Sequence, residues 1–182
     1  MKKAIISMVL VLAVALVTVA CESAEVKKDE NVFCDAIGMP CTFYDNDYFA
    51  CLGMHEGSIN NEETWKIAYG DAQRLCSFNV SHAYKGFIQS SYFTEWRSDT
   101  VEKVSNIGNK IIDTVINDAR PVCAKEGQGC NRGIVYAYVA IKVSKEELAV
   151  KIADAVENTL ADEEKVDFNK EKFQKSMSES FK

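Results

Sequence analysis

The 182-residue chain carries seven cysteines, at positions 21, 34, 41, 51, 76, 123 and 130, and an odd number in an exported protein leaves one thiol to be accounted for. Cys21 is that thiol. It follows Lys2, Lys3 and an apolar run from Ala4 to Ala20 broken only by Ser7 and Thr18, the layout of an export signal. Read as a membrane span, the same 17 residues sit at the short limit for crossing a hydrocarbon core about 30 Å thick. With Cys21 set aside, six cysteines remain and can pair fully. Cys34 with Cys41 and Cys123 with Cys130 would each close an eight-residue loop, stabilising by roughly 2.5 kcal/mol apiece in the chain-entropy model. Cys51 and Cys76 are then left to each other. Six cysteines allow about 15 connectivities, so spacing alone does not choose among them. The competing reading is a thiolate metal site, but neither local pair has the two-residue spacing usual for zinc.

The stretch Val17-Thr18-Val19-Ala20-Cys21 resembles the bacterial lipobox, in which cleavage leaves a lipid-modified cysteine at the new N-terminus; Thr18 stands where the pattern prefers Leu. The resemblance implies palmitate-type acyl chains on Cys21 and a membrane contact made through lipid. Glu22 follows the anchor, where Asp would mark retention at the inner membrane, and by that resemblance the expected location is the outer membrane of a bacterial cell envelope. Removing residues 1–20 takes Lys2 and Lys3 and leaves 19 basic against 27 acidic side chains, a formal charge of −8. An acidic chain without a clustered basic surface is a poor ligand for nucleic acid.

Residues 22–32 are mostly charged and lack apolar periodicity, which with Cys21 predicts a flexible lipidated tether over 21–32. In Phe33 to Tyr44, Gly38-Met39-Pro40 marks a turn enclosed by Cys34 and Cys41. Asp47 to Gly53 reads as a buried strand. From Asn60 to about Ser91 runs the strongest helical signal, with Asn60 as N-cap, Glu63 three residues later, and Trp65, Ala68, Ala72, Leu75, Cys76, Ala83 and Phe87 on one face. A second helix is expected from Thr100 to Asp118, with Val101, Val104, Ile107, Ile111, Val115 and Ile116 as its apolar side. Between them Tyr92, Phe93 and Trp96 form either a corner or an exposed patch. Two strands follow, Arg120 to Glu126 and Ile134 to Val143. In the latter Val135, Ala137, Val139, Ile141 and Val143 alternate with Tyr136, Tyr138, Ala140 and Lys142, so one face is aliphatic and the other presents tyrosines and a lysine. Ser144 and Glu147 form a capping box for a third helix bearing Leu148, Ile152, Ala155, Val156 and Leu160. In the charged stretch 161–182, Phe173, Met177 and Phe181 fall four apart, predicting a loosely held tail helix.

The expected fold is therefore α+β: a small antiparallel sheet of about three strands on a long amphipathic helix, with two further helices and disulfide staples, as one domain over 33–160 after a signal peptide at 1–20. The order of these elements resembles the twenty-kilodalton bacterial envelope lipoprotein family, Lpp-twenty. The residues that carry the resemblance are the lipobox, the Tyr48-Phe49-Ala50-Cys51-Leu52-Gly53 strand, the Trp65 to Phe87 helix, and the Val135 to Leu148 strand leading into Ser-Lys-Glu-Glu-Leu. It implies a small α+β lipoprotein of the envelope with no enzymatic site, some members being linked to flagellar or outer-membrane assembly. The six extra cysteines and the helix at Thr100 to Asp118 depart from the pattern.

Chemistry is sparse. Cys51, His55, Cys76 and His82 are the only candidates for a nucleophile with a base or for a soft-metal cluster, and a strand-to-helix disulfide accounts for the two cysteines more simply. No GxGxxG, GxxxxGK, HExxH or GxSxG motif occurs. Glu146-Glu147 and Glu163-Glu164 lie in solvated sequence, where nothing shifts a carboxyl toward catalysis. The Asn79-Val80-Ser81 sequon falls inside a helix. The expectation is a non-enzymatic envelope module with no metal and no cofactor, contacting a protein partner or itself through Tyr136, Tyr138 and Lys142. The alternative is a small periplasmic ligand-binding or enzymatic domain with a pocket between helix and sheet.

Overall fold

The computed structural model describes residues 46–128, 134–165 and 168–181. Cys21, Cys34, Cys41 and Cys130, with the expected signal and tether, lie outside the described residues. The elements in chain order are β1 (Tyr48–Glu56), α1 (Glu62–Ile88), a single 3-10 turn (Ser91–Phe93), α2 (Ser98–Asn117), β2 (Pro121–Gln128), β3 (Val135–Ser144), α3 (Lys145–Thr159) and α4 (Lys170–Ser180). The three strands form one antiparallel sheet in the order β1-β3-β2, so the α+β class with a small sheet is as the sequence implies. Pro121 opens an edge strand, where its missing N–H breaks no ladder. No helix among the described residues is long and apolar enough to cross a membrane.

Period-two alternation assigns the sheet's two faces. Cys51 stands opposite Ile141, Gly53 opposite Val139 and His55 opposite Ala137, and these positions meet α1. Gly53 is the closest point of that contact: a Cβ there would stand 2.0 Å from the Ala68 carbonyl oxygen and 2.3 Å from the Ala72 amide nitrogen. Only glycine lets the α1 backbone lie so near the strand. On the opposite, outer face lie Ala50 with Lys142, Leu52 with Ala140, Met54 with Tyr138 and Glu56 with Tyr136.

The start of α1 differs by one residue from the sequence expectation. Asn61, not Asn60, is the N-cap, its side chain accepting from the amides of Glu63 at 3.0 Å and Thr64 at 3.1 Å. Asn60 instead donates its own amide to the Ser58 hydroxyl. The buried stripe is Thr64, Ala68, Ala72, Cys76, Val80, Tyr84 and Phe87, a strict four-residue row up to Tyr84. Trp65, Leu75 and Ala83 pack at its margins. On α2 the buried row is Thr100, Val104, Gly108, Ile112 and Ile116, rotated from the expected face because Gly108 admits the Tyr84 ring, whose hydroxyl donates to the Val104 carbonyl at 2.7 Å.

Tyr92, Phe93 and Trp96 make the corner. Phe87 meets Phe93 edge-on at 5.2 Å and Phe173 at 5.1 Å, within the range of favourable aromatic pairs. Phe173 belongs to α4, and this corrects the expectation of a loosely held tail. Phe173, Met177 and Phe181 are buried in the same core as α1 and α2, because their four-residue spacing makes a seam that closes the gap between α1 and α3. Lys170 ties α4 to α3 through Asp154 at 2.7 Å and Glu157 at 2.8 Å. The Ser144 cap of α3 is as expected, its hydroxyl accepting from the Glu147 amide at 3.2 Å.

Candidate functional site: the outer sheet face, a buried thiol pair and a groove

β3 is the central strand, so Tyr136, Tyr138 and Lys142 share the outer face as alternation requires. Their environments differ. Tyr136 is half-buried, whereas Tyr138 is 8% exposed and Ala140 beside it 0%. This corrects the expectation that both tyrosines are turned to solvent. Tyr138 sits in mid-strand between Met54 on β1 and Lys125 on β2, and Gly127 gives its ring room, since a Cβ there would stand 2.8 Å from Tyr138 Cε2. The ring centroids of Tyr136 and Tyr138 are 6.4 Å apart. Lys142 holds its ammonium 4.9 Å from the Tyr48 ring centroid, a cation–π contact that sequence reasoning missed because it depends on register between strands far apart in the chain. Met54 is 56% exposed, so the end of the outer face near Glu56 and Tyr136 carries a large apolar side chain in solvent.

On the helix side, the Cys51 and Cys76 sulfurs lie 3.4 Å apart, both buried in the core. This is thiol contact and not the roughly 2.05 Å of a bond. The hydrogen bond from Cys76, aided by the Asn79 amide, holds the Cys51 thiol below its ordinary pKa, while the same bond and burial push Cys76 up. Cys123 lies on β2 as a free, half-buried thiol. The histidines do not join the cysteines into a reactive cluster: His82 stacks on the exposed Phe78 ring at 6.3 Å, and no group of His, Cys, Asp and Glu among the described residues is arranged to hold a metal.

A groove of about 610 Å³ runs between α2, the end of β3 and α3. Ile111, Val115, Val143 and Leu148 form its apolar wall, and Asp118, Lys142, Lys151 and Asp154 its charged margins. It forms beyond the point where β2 begins opposite Ile141, past the start of the β2–β3 pairing.

Comparison with protein-family models, curated proteins and solved structures finds no match for this chain.

Proposed function

We propose that the chain is a lipid-anchored protein of the bacterial cell envelope, held through Cys21, that works without an enzymatic site by recognising another envelope protein. The anchor rests on the apolar run from Ala4 to Ala20 ending at Cys21 and on the charged tether that follows; several acyl chains give the multiple signals that stable membrane attachment requires. Recognition rests on the end of the outer sheet face, where the exposed Met54 stands beside the half-buried Tyr136. Aromatic and Met side chains are enriched at interfaces because they bring large contact area. In this reading Tyr138 supports Tyr136 from below rather than touching the partner. The resemblance to Lpp-twenty supports the same assignment, and Cys51 with Cys76 would oxidise to the staple joining β1 to α1.

The test is fractionation of the native protein with partner capture. Cys21→Ser moves the protein to the soluble fraction or blocks processing, and Tyr136→Ser loses the captured partner while the melting temperature stays within a degree or two. Unchanged mass and membrane partition for Cys21→Ser would sink the anchor.

A second reading, a small ligand-binding module, has the α2–β3–α3 groove in its favour. Ligand pockets are largely apolar with a few placed polar groups. Screening for thermal stabilisation by small molecules, with Leu148→Arg as the blocked control, separates the two.

A further inference from the structure

A second cleft, of about 610 Å³, lies where the corner between α1 and α2 meets α4. The corner is held by Ser90, whose hydroxyl accepts from the Tyr92 amide at 3.4 Å and caps the 3-10 turn. Phe93 turns into the core, and Tyr92 and Trp96 remain half-buried at its edge, lining the cleft. The opposite wall is one side of α4. Phe173 and Met177 face the core, so Lys172, Ser176 and Glu179, spaced four and three apart, share the side that lines the cleft.

The two walls bring an aromatic surface together with short polar side chains, Thr94 and Glu95 from the corner and Ser176 and Glu179 from α4. The Lys172 ammonium stands 5.7 Å from the Tyr92 ring centroid, which leaves Trp96 as the ring for a ligand to stack on. None of the rings around it lies flat on the indole: Tyr92 meets it at 45°, Phe93 at 69° and Phe168 at 86°.

This lining selects among ligand classes. An apolar helix or acyl chain would find no apolar wall, since apart from the two rings every described side chain lining the cleft is polar. A phosphate group would face Glu95 and Glu179 against the one ammonium of Lys172. A neutral sugar matches both features. The C–H bonds on one side of a pyranose ring carry partial positive charge and rest on the negative face of an aromatic ring. Its hydroxyls donate to carboxylates and exchange hydrogen bonds with Ser and Thr hydroxyls in either direction. The volume lies within the roughly 300–1,000 Å³ of small-ligand pockets.

We propose that this cleft binds a neutral oligosaccharide, with Trp96 stacking on a sugar ring and Glu95 and Glu179 accepting from its hydroxyls. The cleft uses neither Cys21 nor the outer sheet face, so its test stands apart from the lipid anchor and from recognition of a protein partner.

The experiment uses the full chain with Cys21→Ser, which removes the lipid, and Trp65→Phe, which leaves Trp96 as the one indole of the chain's two. Chitotetraose, cellotetraose and maltotetraose are each titrated to about 10 mM while tryptophan emission is followed, with inorganic phosphate as a fourth probe. At least one oligosaccharide is expected to give a saturable change with a Kd of about 1 mM or less. Glu95 and Glu179 are exposed, so the double variant Glu95→Gln with Glu179→Gln is expected to keep its melting temperature and to bind at least about five-fold more weakly. No saturable change with any of the three sugars, saturation by phosphate alone, or a smaller loss in the double variant overturns the proposal.

Discussion

Gly53 on β1 and Ala72 on α1 touch backbone to backbone, with 2.3 Å between a would-be Gly53 Cβ and the Ala72 nitrogen. This contact sets the distance between the sheet and its longest helix. Gly53→Ala has only main chain to displace, and it is expected to cost about 3 kcal/mol or more through overpacking. Chemical denaturation measures it; a loss under about 1 kcal/mol would show that α1 can slide.

Tyr84 and Gly108 make the equivalent contact between α1 and α2. A Cβ on Gly108 would stand 2.2 Å from Tyr84 Cζ, and the ring is held by its hydrogen bond to the Val104 carbonyl. Gly108→Ala is expected to destabilise by about 2–3 kcal/mol. Tyr84→Phe leaves the buried carbonyl short of a donor and costs about 1–2 kcal/mol. A double-mutant cycle should show strong coupling, since both changes act on one ring.

Oxidation of Cys51 and Cys76 closes a loop of about 26 residues and should stabilise by roughly 3.5 kcal/mol in the chain-entropy model. In a variant carrying Ser at Cys21, Cys34, Cys41, Cys123 and Cys130, reductant is therefore expected to lower the denaturation midpoint. No change on reduction would mean that the pair stays as two thiols.

Tyr136 and Tyr138 should separate cleanly. Tyr138→Ser empties a buried site and is expected to cost about 3 kcal/mol, lowering the melting temperature by several degrees. Tyr136→Ser, at a half-buried site, should cost less than about 1 kcal/mol. Equal losses would show the two rings to be equivalent.

Glu126 accepts from the Ser58 hydroxyl and from the Ile59 amide at 2.8 Å, which pins the β1–α1 turn to β2. These bonds hold its carboxyl below the ordinary value of 4.5. A depressed carboxyl contributes stability that is present above the unfolded-state value and disappears as pH falls through the folded one. Glu126→Gln should therefore flatten the loss of stability below about pH 5, with a small amplitude because the group is exposed. An acid limb identical to that of the parent protein would remove Glu126 from the turn.

The elements whose faces are set by local periodicity were legible in the sequence. β3 alternates its side chains because a strand must, α3 begins at Ser144 because that hydroxyl reaches the Glu147 amide, and Phe173, Met177 and Phe181 share a face because four residues make about one helical turn. The sequence by itself thus determined the class of fold and the strand and helix order. What it did not determine were relations between segments distant in the chain. The rotation of α2 toward Gly108, the burial of Tyr138 and the docking of α4 depend on which side chain fills which space. Periodicity names the apolar side of an element, but the packing of neighbours decides which residues at its edge are covered.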